Sequence, residues 1–182
     1  MAKAPAKITP HYLENAALHY LERFASSTAN LRRVLMRKVD RSLAHWGGDR
    51  AEAAAEVEAV VARLAGLGCL DDAAYAVMKA RGLNRRGKGT RVIRQALAAK
   101  GVDADTAAAA LGRLAEEVAE PDLAAAVRLA RKRRLGPFRA LEHRAEMRHK
   151  DLAALARAGI DLDIARRVVD AREPEDLEEI GR

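Results

Sequence analysis

A nine-residue phrase, Leu97-Ala98-Ala99-Lys100-Gly101-Val102-Asp103-Ala104-Asp105, returns as Leu155-Ala156-Arg157-Ala158-Gly159-Ile160-Asp161-Leu162-Asp163. The shared pattern is L-A-x-x-G-[V/I]-D-x-D, with Gly101 and Gly159 58 residues apart. Each position has a local job. Leu97 and Leu155 end apolar helical stripes. The glycines suit the left-handed residue that stops a helix, where a Cβ would clash. Val102 or Ile160 packs back on the helix just ended. Asp103 and Asp161 accept bonds from the free N–H groups that open the next helix. The phrase therefore predicts helix, three-residue turn, helix, used more than once. Chains built of repeated helical units bind along extended partners.

Composition agrees with an all-α chain. Of the 182 residues 49% are hydrophobic but only 3% aromatic, so the apolar content is mostly Ala, Leu and Val. Such a mixture, with 32% charged residues, favours helices over sheet. No apolar run nears the roughly 18 residues of a membrane span, and Met1–Pro10 lacks the apolar core of a secretory signal. A lone Cys69 permits no internal disulfide and fits a reducing cytoplasm.

Periodicity predicts nine helices in three sets of three. They run near 11–25, 29–43 and around Val57–Leu67; then near 72–83, around Val92–Leu97, and near 104–118; then from Pro121, near 140–158, and near 162–172. Pro121 suits the first turn of a helix. His45-Trp46-Gly47-Gly48-Asp49 reads as a loop with Trp46 as a lid on the core, Gly68 as a stop and Asp71 as a cap. Pro174 blocks extension of the last helix. The first set echoes the second: Leu31-Arg32-x-x-Leu35-x-x-Lys38 parallels Ile93-Arg94-x-x-Leu97-x-x-Lys100. The expected organisation is a disordered tail over 1–10, repeats over 11–69, 70–119 and 120–172, and an acidic tail over 173–182.

Net charge is +7 and the pI about 9.9, which points to a polyanionic partner. The charge is segregated. From Lys79 to Lys100 stand Lys79, Arg81, Arg85, Arg86, Lys88, Arg91, Arg94 and Lys100 with no acid among them. A second cluster holds Arg128, Arg131, Lys132, Arg133, Arg134 and Arg139, whereas Glu173, Glu175, Asp176, Glu178 and Glu179 reverse the sign near the C-terminus.

Catalytic signatures are missing. Gly82-Leu83-Asn84-Arg85-Arg86-Gly87-Lys88-Gly89 fits G-x-x-x-x-G-K, but Gly89 stands where Mg²⁺ needs Ser or Thr, and no strand precedes it. His143 and His149 are six apart on one helix and do not share a face as a zinc pair would. His11, His19 and His45 are scattered. Cys69 reads as a buried structural thiol, and Tyr75 and Phe138 as packing anchors. No metal, cofactor or catalytic set is expected, and the chain is read as a non-enzyme.

Three segments carry a resemblance. Gly68-Cys69-Leu70-Asp71-Asp72-Ala73-Ala74-Tyr75-Ala76 is similar to G-[YF]-[LI]-[DN]-D-x-x-[FY]-A of the RecX family. Arg85-Arg86-Gly87 through Lys100-Gly101-Val102 is similar to its R-x-G-x-x-x-I-x-x-E-L-x-x-K-G-[IV], and Asn30-Leu31-Arg32 through Lys38 to its E-L-R-x-K-L-x-x-K. The family's Glu is Ala96 in one copy and Asn30 in the other, its Gly after Lys38 is Val39, and its aromatic after Gly68 is Cys69. The resemblance implies three tandem three-helix repeats stacked into an elongated, curved module. It implies a cytoplasmic regulator of recombination, DNA repair and the SOS response. Such a protein binds the RecA–DNA filament, meets DNA through it, and restrains ATP hydrolysis and strand exchange. The expected contacts are Arg81, Arg85, Arg86, Lys88, Arg91 and Arg94, with Arg131, Lys132, Arg133 and Arg134, on a monomeric chain. The alternative is a helix-turn-helix DNA-binding transcription regulator, since Ile93–Leu114 has the length for one. Against it, the reading helix would start Ala104-Asp105-Thr106-Ala107, with no Arg, Asn or Gln to reach base edges.

Overall fold

Capping side chains mark where most helices begin. In the computed structural model, which describes residues 4–180, Thr9, Ser27, Asp49, Asp103 and Asp161 each accept a hydrogen bond from a backbone N–H of the helix they precede, and Asp71 accepts one from Ala74. The helices are α1 (Pro10–Leu21), α2 (Thr28–Trp46), α3 (Arg50–Gly66), α4 (Asp72–Arg85), α5 (Thr90–Ala98), α6 (Ala104–Glu117), α7 (Pro121–Arg133), α8 (Arg144–Arg157) and α9 (Leu162–Val169). Short 3₁₀ turns lie at Gly136–Phe138, Leu141–His143 and Pro174–Ile180, and there is no strand among the described residues. Pro121 stands in the first turn of α7. The two glycines of the repeated phrase take φ 77° (Gly101) and 87° (Gly159), and Val102 and Ile160 are buried behind them.

The chain divides into two units. One runs to Tyr75 and takes in Lys100–Val102; the other holds Ala76–Ala99 and the chain from Asp103 onward. In the first, α2 packs on α3 and both receive α1. Its core is built on Leu13, Leu31, Leu35, Val57, Val61 and Leu64. In the second, α5 packs on α6, and α9 packs on α7 and α8 around Leu123, Val127, Leu155, Ile160 and Val168. Each such buried side chain contributes about 1.5–3 kcal/mol. α7 is buried nearly all round from Leu123 to Ala130. Its small Ala124-Ala125-Ala126 run makes that possible: a Cβ on Gly87 would sit 3.1 Å from the Ala125 carbonyl and 2.7 Å from Leu129 Cβ.

Several expectations need correction. α1 stops at Leu21 rather than near Ala25, and α9 at Val169 rather than Arg172. α8 begins at Arg144, after a 3₁₀ turn, rather than near Ala140. His45 and Trp46 are helical, because α2 ends only where Gly47 takes φ 72° and donates to the Leu43 carbonyl. Trp46 is half-exposed and does not lid the core. Its Nε1 donates to the Pro5 carbonyl (2.8 Å), and Lys7 Nζ lies 5.1 Å from its ring centroid. Those contacts anchor residues of the lead-in expected to be disordered. Cys69 is exposed, not buried, because it follows the left-handed Gly68 out of the turn. At the other end Leu177, amid acidic neighbours, packs into the second core. Residues 1–3 and 181–182 of the two expected tails lie outside the described residues.

Candidate functional site

The repeated phrase makes the same junction twice. In the first unit the receiving element is the start of α2. Thr28 N–H donates to Asp72 Oδ1 (2.7 Å), and Ser27 Oγ donates to the Lys100 carbonyl (2.5 Å). A Cβ on Gly101 would overlap that of Ala29. In the second unit the start of α5 receives. Thr90 donates from N–H and Oγ1 to the two oxygens of Asp122 (2.6 and 3.0 Å), and Gly89 N–H donates to the Ala158 carbonyl (2.9 Å). A Cβ on Gly159 would lie 2.7 Å from Val92 Cγ2. In both, an aspartate from the first turn of a later helix caps the receiving helix, and a left-handed glycine lets the turn approach. Charge and hydrogen bonding act together, because a carboxylate is favoured at a helix N-terminus.

This junction disposes of the phosphate-loop pattern. Gly87 N–H donates to the Asn84 carbonyl, Lys88 N–H to Leu83, Gly89 N–H to Ala158 and Thr90 N–H to Asp122. The amides that would cradle a phosphate are engaged, and a carboxylate already occupies the start of α5. Gly87 and Gly89 serve close packing. Among the described residues no group of three or more His, Cys, Asp or Glu could hold a metal ion, and no helix is long and apolar enough to cross a membrane.

The basic run that is free of acids in sequence is not free of them in space. Arg81 forms a two-pronged pair with Glu117 of α6. That hydrogen bond holds the Glu117 carboxyl below its usual range and raises the Arg81 guanidinium. Arg91 Nη2 donates to the Ala156 carbonyl at the end of α8 (3.2 Å). Lys100 Nζ donates to Asn30 Oδ1 (3.1 Å), whose Nδ2 reaches Tyr20 and Ser26. Arg128 bonds Asn84 Oδ1 (2.8 Å), and Asn84 in turn donates to the Pro121 carbonyl. Arg139 pairs with buried Asp151 (2.9 Å), which also accepts from Gly136 N–H. These cations hold the fold.

The others face water. Arg85, Arg86 and Arg94 are exposed, and Lys88 is half-buried beside them in chain order. Arg131, Lys132, Arg133 and Arg134 are exposed at the end of α7, where the helix dipole favours positive charge. The Arg131 guanidinium lies 5.5 Å from the Phe138 ring centroid, and Phe138 itself packs against the second core. Tyr75 is buried, which pushes its phenol above the ordinary range.

Sequence reasoning found the phrase but not the groups that receive it. Asp72 and Asp122 carried one signal, an acid in the first turn of a helix. Their partners Thr28 and Thr90 lie 44 and 32 residues away. Glu117 opposite Arg81 gave no signal at all.

Comparison with known proteins bears on the same segments. A family model described as the second three-helix domain of RecX matches residues 71–111, from the cap of α4 into α6. The regulatory protein RecX of Myxococcus xanthus is 53% identical over 170 residues, covering 93% of this chain and 90% of that protein. That of Agrobacterium fabrum is 35% identical over 169 residues, covering 93% and 87%. Two crystal structures share the fold. One, of a regulatory protein RecX, has TM-score 0.63 at 22% identity over 89% of this chain and 72% of that one. The other, RecX from Lactobacillus salivarius, has TM-score 0.61 at 23% identity over 94% and 97%. At 53% identity to one RecX over nine tenths of both chains, this protein belongs to the RecX family of regulatory proteins.

Proposed function

We propose that the chain binds the RecA–DNA filament and lowers its ATPase and strand-exchange activity, as a non-enzymatic, cytoplasmic, monomeric regulator of recombination and repair. Its helices act as three tandem three-helix repeats, α1–α3, α4–α6 and α7–α9. The observation that carries this reading is a set of exposed cations without acid partners among the described residues, Arg85, Arg86, Arg94, Lys132, Arg133 and Arg134, within a chain of this family. Lys88, Arg91 and Arg131 extend that surface, and Arg81 joins it by exchanging Glu117 for an external anion. The partner supplies acidic protein surface or DNA phosphate, and each phosphate contact steepens the log–log salt dependence by about one.

The test is the DNA-dependent ATPase of RecA with and without the full chain. The expected result is inhibition that weakens as salt rises. An unchanged rate at saturating protein contradicts the proposal. A sequence-specific footprint on duplex DNA without RecA would instead support a transcription regulator, although the exposed residues in the first two turns of α6 are Ala104, Asp105, Ala108 and Ala109.

A further inference from the structure

Four helix ends close with the same hydrogen bond, from an N–H to the carbonyl five residues back. Cys69 donates to Leu64 (2.9 Å), Lys88 to Leu83 (3.1 Å), Ile160 to Leu155 (3.2 Å) and Leu135 to Ala130 (2.9 Å). The residue before each donor must turn left-handed. Gly68, Gly87 and Gly159 do so at φ 73°, 79° and 87°. At the end of α7 the position belongs to Arg134, at φ 54°, the one non-glycine residue with positive φ among the described residues. A side chain there is disfavoured by contact of Cβ with the neighbouring carbonyl.

The fold uses the left-handed turn, since Arg134 N–H donates to the Ala130 and Arg131 carbonyls and Leu135 N–H to Ala130, but none of these bonds needs an arginine. No hydrogen bond or ion pair engages the Arg134 side chain, and it is exposed. The helix dipole is already met by Arg131, Lys132 and Arg133 in the last turn. Strained residues that the fold does not need are found where a ligand needs them. The ligand is set by charge: Lys132, Arg133 and Arg134 gather exposed cations where α7 ends, which suits an anion. A guanidinium also matches phosphate in a two-pronged geometry that an ammonium lacks.

We propose that Arg134 is a DNA-phosphate contact, retained at the cost of fold stability, and that the end of α7 is a phosphate-backbone site. This deepens the proposed function and rests on it for the choice of DNA, but it concerns binding by this chain alone. The experiment compares the full chain with R134G and R134K, measuring thermal unfolding and affinity for a fluorescent duplex oligonucleotide across a salt series. For R134G the expected result is a Tm raised by about 3 °C, affinity reduced roughly fivefold, and a salt slope smaller by about one. R134K keeps the strain and the charge, so its Tm stays within about 1 °C of the parent while its affinity falls between the other two. An R134G chain that is more stable and binds DNA equally well overturns the proposal, as does one that is less stable. Undetectable DNA binding by the parent also overturns it. If R134G loses RecA inhibition yet binds DNA unchanged, the contact is to an acidic protein surface and the phosphate assignment is wrong. If the parent fails to inhibit RecA but R134G shows the expected stability and DNA changes, the regulatory reading fails and the phosphate site stands.

Discussion

The junctions at Gly101 and Gly159 use one plan with different cushioning. At Gly101 the facing groups are side chains: the Ser27 hydroxyl on the Lys100 carbonyl, and the Ala29 methyl. A further side-chain network, Lys100–Asn30–Tyr20, backs it. At Gly159 backbone meets backbone. Gly89 donates to the Ala158 carbonyl, and a Cβ on Gly89 would lie 2.5 Å from the Gly159 carbonyl oxygen. Side chains can be exchanged for others, whereas peptide groups cannot move without moving their helices. The Gly159 junction is therefore the less forgiving of the two.

That difference is most sharply tested by adding methyl groups. Gly159→Ala combines a left-handed penalty of about 1–2 kcal/mol with overpacking of about 1–3 kcal/mol against Val92, and a loss near 3 kcal/mol is expected in urea unfolding. Gly101→Ala faces the same backbone penalty, but Ala29→Gly in the same chain opens the space and should recover about 1 kcal/mol of it. No side-chain change at Ala158 or Gly159 should rescue Gly89→Ala. Equal rescue at both junctions would erase the distinction.

The caps come next in size. Asp122 accepts two hydrogen bonds from Thr90, and Asp72 one from Thr28. Replacing each by Ala should cost about 2 kcal/mol at Asp122 and about 1 kcal/mol at Asp72, read from the same denaturation curves. A larger loss at Asp72 would show that the first junction depends more on its carboxylate.

Acid should produce the smallest effect and should act on the second unit. Asp103 is held low by the Thr106 N–H, Glu117 by the Arg81 guanidinium and Asp170 by the Arg148 guanidinium. All three lie in the second unit. A carboxylate with a depressed folded pKa lends stability above its unfolded pKa of about 4, and loses it as pH falls through the folded value. Stability should therefore be flat from neutrality to about pH 5 and decline below it. Hydrogen exchange should report the loss in α6 and α9 before α2. Loss in α2 first, or a decline already at pH 6, would break the assignment.

Much of this fold could be read from residues whose role is local. The glycine stops, the aspartate caps and the apolar stripes act within one turn of themselves, and they appear in the structure where the phrase put them. What escaped depends on distant partners. Nothing near Arg81 announces Glu117, and nothing near Thr90 announces Asp122. Trp46 was misplaced because the helix runs on until Gly47, and Cys69 because a left-handed turn exposes its successor. The basic surface was legible as composition but not as geometry: the cations with internal partners, Arg81, Arg91, Lys100, Arg128 and Arg139, look in sequence like those without. The subset without internal partners became visible only after folding had sorted them.

The central claim is that this exposed basic surface carries the contact with the RecA filament. It is tested most directly by reversing Arg85, Arg86 and Lys88 together to Glu and measuring inhibition of the RecA ATPase, with circular dichroism and Tm as controls for the fold. The expected result is a native fold and a half-inhibitory concentration raised at least roughly tenfold, since three contacts are lost and three repulsions introduced. Inhibition by the reversed chain at the parent's concentration, with the fold intact, would contradict it.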